Sequence, residues 1–290
     1  MSDPIAKLSI ASPIVTSVPG MNADWEKDAS IEELAQVAEA ADRLGYHHLT
    51  CSEHVALPAG DGEQARRGSR YWDPLATLGY LAARTRRIRL VTNVLVLGYH
   101  HPLEIAKRYG TLDVVSNGRL ILGVGVGSLK EEFDLLGVPF EDRGPRGDDA
   151  LRALRASLSR TEPEYHGEFY SFGGMVVDPC AIQEHVPIWV GGRTLRSLRR
   201  AINLADGWTP FGVPLKQAGD WLARETIPPS FDVVLAPSSR LDPIGNPERS
   251  RELIADTVAH GATIVNANFA STSLQHYLEN LQALAELNTT

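Results

Sequence analysis

The sequence predicts an α/β protein, a closed (β/α)8 TIM barrel with insertions at the carboxyl-terminal face of the barrel. Three observations predict it. Strand and helix signals alternate from one end of the chain to the other. The stretch from Arg89 to Lys130 reads as strand, helix and strand with short joints, so its two strands should lie parallel. The length of 290 residues fits the usual roughly 250 of such a barrel, with room for two insertions. No compositional break or linker divides the chain, so one domain over residues 1–290 is expected. An open doubly wound sheet is the rival, but it predicts a glycine-rich nucleotide turn after the first strand. Here that strand ends in Ser17-Val18-Pro19-Gly20, which is no such turn.

Each element follows from local pattern. Leu8 to Val18 is read as the first strand. Ser30, with Glu33 three residues on, forms a capping box, and Leu34, Val37, Ala38, Ala41 and Leu44 make the apolar stripe of a helix ended by Gly45. His47 to Cys51 is the second strand. It runs into Ser52-Glu53-His54 and a Gly/Arg-rich loop as far as about Arg70. Asp73-Pro74 occupies the N-cap and N1 positions of a helix to about Thr85. Leu90 to Leu97 is the third strand. A helix opens at His101-Pro102 and stops at Ser116-Asn117-Gly118, and Leu120 to Val126 is the fourth strand. A short helix at Leu129 to Leu136, a joint at Gly144 to Gly147, a helix from Asp148 to Leu158 and a β-hairpin within 164–177 come next. The remaining strands are Pro187 to Val190, Gly207 to Thr209, Phe231 to Ala236 and Ala262 to Ala267. Helices are read at Thr194 to Leu204, Pro214 to Thr226, Pro247 to His260 and from Ser271 onward.

Composition narrows the function. The hydrophobic share of 43% and charged share of 22% are those of a soluble globule. A net charge of −8 argues against nucleic acid or an anionic membrane as the main partner, while leaving room for a small anion at a local patch. Cys51 and Cys180 are the only cysteines, too few for a disulfide scaffold or a zinc site and suited to a reducing cytoplasm. The amino terminus does not read as a signal peptide, and no apolar run reaches the ~20 residues of a bilayer span.

Several residues point to chemistry at the carboxyl mouth. Gly123, Gly125 and Gly127 alternate on one face of the fourth strand, leaving space for something flat or for a neighbouring backbone. Their spacing is not the dinucleotide fingerprint. Gly191-Gly192-Arg193-Thr194 joins a strand to a helix, and free N–H groups beside an arginine suit a phosphate; the alternative is an ordinary turn. His54 follows the second strand, where an imidazole exchanges protons near neutral pH or simply bonds its loop. The pairs His47-His48 and His100-His101 should face opposite ways, so no metal site is expected. Trp25, Trp72, Trp189, Trp208 and Trp221 read as core or rim packing, with a pocket wall the alternative for Trp208, and Arg84, Arg86, Arg87 and Arg89 read as solvated surface.

The segments SEHVALP, YWDPLATLGYLAARTRRIRL, TNVLVLGYHHPLEIAKRYGTLDVVSNGRLILGVGVG, EEFDLLGVPFEDRG and HVPIWVGG…LADGW, in this order, resemble the luciferase-like monooxygenase superfamily over about residues 30–212. Within it the chain is most similar to short oxidoreductases that use the deazaflavin coenzyme F420; FMN is the alternative cofactor. The resemblance implies a ring bound at the barrel mouth, supported by a non-prolyl cis peptide at Asn93-Val94. It implies Val126 and Gly127 beside the ring, a phosphate at Gly191, Gly192 and Arg193, and His54 as catalytic base. It further implies a homodimer acting on a small-molecule substrate. Ser128 stands where related sugar-phosphate dehydrogenases carry a glutamate and many other relatives a tryptophan, which argues against sugar-phosphate oxidation. The segments 128–147 and 161–186 and the 55–72 loop are expected to roof the mouth.

Overall fold

A computed structural model describes residues 5–60 and 68–288. Eight parallel strands close into a barrel: β1 (Lys7–Ile10), β2 (His48–Cys51), β3 (Arg89–Thr92), β4 (Leu120–Gly125), β5 (Ile188–Gly192), β6 (Gly207–Pro210), β7 (Asp232–Leu235) and β8 (Ile264–Ala267). The seam shuts where Ile188 pairs with Leu122 and Val190 with Val124, and β1 meets β8 with Lys7 opposite Ile264. Around it run α1 (Ile31–Leu44), α2 (Pro74–Arg84), α3 (Pro102–Val115), α4 (Lys130–Leu136), α5 (Arg143–Ser157), α6 (Leu195–Leu204), α7 (Leu215–Leu222), α8 (Pro247–Ala259) and α9 (Leu274–Leu287).

Strand alternation sorts the barrel interior into tiers. A middle tier of Val91, Ile121, Trp189, Val234 and Ile264 is wholly apolar and buried. Trp189 fits because β6 offers Gly207, where a Cβ would stand 2.5 Å from Trp189 Cδ1. Two residues further along, towards the carboxyl mouth, the inward positions turn polar or small: Asn93, Gly123, Gly191, Thr209 and Asn266. The opposite end holds His48 and Arg89.

The caps form as the pattern predicts. Ser30 and Glu33 make a reciprocal box, and Gly45 closes α1 at φ 80°. Asp73 accepts from Ala76 N–H at 2.8 Å, and the His101 ring accepts from Leu103 N–H at 3.2 Å.

Other expectations need correction. The first strand stops at Ile10, not Val18, because Pro13 cannot join a ladder and Ile14 sits at φ 75°. Thr16–Ser17 pairs antiparallel with Arg70–Tyr71 instead. The expected strand 90–97 breaks after Thr92, and only Leu95–Val96 pairs again, with β4. The expected joint at 144–147 lies inside α5, since Pro145 falls in the first turn, where its missing N–H is not needed. Arg89 is no surface residue: it is half-buried at the barrel base and donates to Gln183 Oε1 at 2.8 Å. Arg84 is half-buried in bonds to Glu39 and Glu32. His47 precedes the strand, so alternation does not separate it from His48; their Nδ1 atoms meet at 2.9 Å. Trp208, by contrast, is core as its leading reading had it: it is fully buried and donates to Ser197 Oγ at 3.2 Å, so the pocket-wall alternative falls.

The insertions divide. The 164–177 excursion forms a hairpin of Tyr165–His166 with Ser171–Phe172 on the outer ring, where Asp149 of α5 accepts from Tyr165 Oη, Phe169 N–H and Tyr170 N–H. Its return arm runs down α3 to the base, with Ile182 and Gln183 N–H groups on Asp113. That arm therefore does not roof the mouth. Segment 128–147 does stand at the mouth through α4. Residues 61–67 of the expected roofing loop lie outside the described residues.

Candidate active site

The ends of β2 and β3 are laced together at the mouth. Asn93 N–H donates to Cys51 O at 2.8 Å, Ser52 Oγ to Asn93 O at 2.7 Å and Glu53 N–H to Val94 O at 3.3 Å. The Asn93–Val94 peptide is cis. Thr209 Oγ1 reaches Asn93 Oδ1 at 3.4 Å from across the barrel. Val94 drives its two methyls between β4 and β5: a Cβ on Gly125 would stand 2.8 Å from one and a Cβ on Gly191 2.5 Å from the other. Of the two readings of the glycine strand, the neighbour wins. At Gly123 the Thr92 carbonyl fills the space, and at Gly127 Phe133 and Val96 do.

His54 projects beyond this lacing. Its Nδ1 meets Glu132 Oε2 at 2.7 Å, and its ring packs edge-on to Tyr71 at 4.5 Å between centroids. Tyr99 Oη donates to the same Glu132 oxygen at 2.8 Å, while Glu132 Oε1 accepts from Val55 N–H at 2.7 Å and Ala56 N–H at 3.1 Å. The Glu132 side chain is 1% exposed and that of His54 27%. Burial works to raise the carboxyl pKa of Glu132, but the bonds from His54, Tyr99 and the Ala56 backbone outweigh it and hold the group below its usual range. Burial, followed by the bond to Glu132, pushes the Tyr99 hydroxyl far up, so it stays a donor. Beside this cluster Glu53 accepts from Val96 N–H at 2.7 Å and pairs with His100 Nε2 at 2.7 Å.

The sequence places Glu131 and Glu132 close to Ser128 but gives no geometric reason to promote either. One signal for Glu132 was available: it lies three residues after Leu129 and one before Phe133, inside an apolar stripe where an unpaired carboxylate is costly.

The other predicted positions separate. Gly191 backs Val94. Gly192 sits at φ 141° with Ser197 where a Cβ would go, so the turn needs glycine. Arg193 is exposed, has no acidic partner among the described residues and lies 5.4 Å over the Phe211 ring. Val126 turns its side chain onto Gly147 of α5, leaving only backbone for the mouth. A flavin-like ring needs a backbone-lined shelf and its phosphate needs donors. Val94 with its two glycines, and Arg193 beside Gly192, fit that demand.

A family model described as luciferase-like monooxygenase matches residues 12–225, and the chain belongs to this family. An uncharacterized protein of Mycobacterium tuberculosis is 34% identical over 182 residues, 59% of this chain and 62% of that relative's length. The 4-hydroxyprotoasukamycin monooxygenase of Streptomyces nodosus subsp. asukaensis is 30% identical over 253 residues, 87% of this chain and 61% of that protein. Among solved structures, monooxygenase RslO1 from Streptomyces bottropensis superposes with TM-score 0.73 at 23% identity, over 97% of this chain and 98% of the other. The coenzyme F420-dependent tetrahydromethanopterin reductase from Methanopyrus kandleri gives 0.70 at 17% identity, over 89% and 95%. A type II Baeyer-Villiger monooxygenase component from Pseudomonas putida, in complex with FMN, gives 0.69 at 14% identity, over 98% of each. These likenesses fix the barrel. Among the described residues no helix is long and apolar enough to cross a membrane.

Proposed function

We propose that this protein is a coenzyme F420-dependent oxidoreductase acting on a small organic substrate, working as a homodimer. The observation that carries the reading is His54 at the carboxyl mouth. One ring nitrogen is held by a buried carboxylate, and Nε2 has no partner among the described residues. When bound, the coenzyme supplies the two-electron carrier. The chain supplies the rest. Val94 and the adjoining backbone form the shelf, Gly192 N–H and Arg193 hold the anionic tail, and α4 with the 55–60 segment keeps water from the reacting atoms. His54 Nε2 takes up or returns the substrate proton.

A second reading, an FMN-dependent monooxygenase, is favoured by the 30% identity over 253 residues to a Streptomyces monooxygenase. Titration of the purified protein with oxidised F420 and, separately, FMN, followed by fluorescence, decides between them. Saturable micromolar binding of F420 is expected. Binding of FMN alone makes the monooxygenase reading the correct one, and binding of neither removes both.

A further inference from the structure

Glu132 carries more information than a simple partner would. Its two oxygens receive four groups: Val55 and Ala56 N–H on Oε1, His54 Nδ1 and Tyr99 Oη on Oε2. A carboxylate has no proton to give, so every group around it must donate. The backbone N–H groups and the Tyr99 hydroxyl satisfy this as they stand. His54 satisfies it in one neutral form only, with the proton on Nδ1.

We propose that Glu132 is a positioning residue that locks neutral His54 as the Nδ1–H tautomer and so presents Nε2 to the mouth as a bare lone pair, a proton acceptor. The assignment rests on the reading of His54 as the acid/base group and deepens it: it names the atom and the tautomer of its neutral form. It also sets a requirement on the substrate, which must bring an exchangeable proton, such as that of a hydroxyl, to Nε2. A substrate group that only accepts hydrogen bonds meets a lone pair there and is repelled.

The same geometry predicts what an uncharged isostere does. A glutamine at 132 has one accepting oxygen and one donating nitrogen. Val55 and Ala56 N–H cannot become acceptors, and both are directed at the Oε1 position. The amide oxygen must therefore turn to them, and the NH2 faces His54 Nδ1 and Tyr99 Oη. The tyrosine hydroxyl can rotate and accept. The imidazole can accept at Nδ1 only by moving its proton to Nε2. In Glu132→Gln, neutral His54 becomes the Nε2–H tautomer and the mouth loses its acceptor although nothing has been removed in size.

The test reads the ring nitrogens directly, without substrate or coenzyme. Long-range 1H–15N correlation spectra of histidine-labelled protein, with His54 assigned by comparison with His54→Gln, are recorded at mildly alkaline pH for wild type, Glu132→Gln and Glu132→Asp. Expected are the Nδ1–H signature in wild type, Nε2–H in Glu132→Gln, and Nδ1–H again in Glu132→Asp, which restores an acceptor. With any substrate found, kcat of Glu132→Gln should fall by about a hundredfold or more. Wild-type His54 as Nε2–H, or a Glu132→Gln spectrum that keeps Nδ1–H, overturns the proposal. The wild-type spectrum alone decides if the variants do not fold. Because no coenzyme is present, this result is independent of the F420 titration: failure there leaves the tautomer assignment standing, and failure here leaves coenzyme binding standing.

Discussion

His54 and Glu132 stand 78 positions apart in the chain and 2.7 Å apart in space. His54→Ala removes the proposed acid/base atom while leaving the β2–β3 lacing, which uses Ser52, Glu53 and Asn93, in place. Expected is a loss of roughly 10²–10⁴ in kcat with the coenzyme titration unchanged, measured by steady-state kinetics. Unaltered turnover would transfer the proton step to another group. The histidine's place at the mouth was legible because it sits just past a strand end. Glu132 was not, because its bonds to Val55, Ala56 and Tyr99 join three separate segments, and its place in the apolar stripe of α4 shows only that it needs partners, not which ones. Val94 was likewise visible only as a position. That the glycines of β4 and β5 exist to admit its methyls emerges from packing alone.

Helix starts were read well because their chemistry is local. Ser30 with Glu33 and Asp73 with Pro74 each satisfy orphan N–H groups within four residues. Strand ends, and the start of α5, which has no side-chain cap, were read less well. The end of β1 depends on Ile14 at φ 75°, and the start of α5 on a proline tolerated only because it lies in the first turn. The first is tertiary setting overriding residue preference; the second is a proline that the first turn of a helix accepts locally. At the level of elements the β3–β4 seam makes a sharp prediction. Thr92 Oγ1 donates to Gly123 O at 2.7 Å, and a Cβ on Gly123 would overlap the Thr92 carbonyl, which is backbone and cannot rotate away. Gly123→Ala should lower stability by about 3 kcal/mol, at the upper end of overpacking costs, read as a shift in the denaturant midpoint. A midpoint equal to wild type would show that the strands part freely.

Over the whole molecule the two ends of the barrel answer pH in opposite ways. At the base, burial holds His47 down at about 4 and His48 well below its ordinary value. Unfolded, both take a proton near 6.5, so the native state loses stability as pH falls from about 6.5 towards 4, by roughly 3 kcal/mol for His47. At the mouth, burial acts to lower the pKa of His100, but the Glu53 bond prevails and raises it. That contribution is full below the unfolded pKa and is lost as pH rises through the folded one. Urea titrations across pH should show a steep acid limb, shallower in His47→Asn, and a separate decline on the alkaline side that His100→Asn abolishes. An acid limb identical in His47→Asn would mean that other groups set it.

Between these ends lies the tier of Val91, Ile121, Trp189, Val234 and Ile264, an insulating disc without a charge in it. A breeder of acid-hardy variants could rewrite the histidine doublet at the base without touching the mouth, because acid endurance and the proposed chemistry are housed on opposite sides of the same partition.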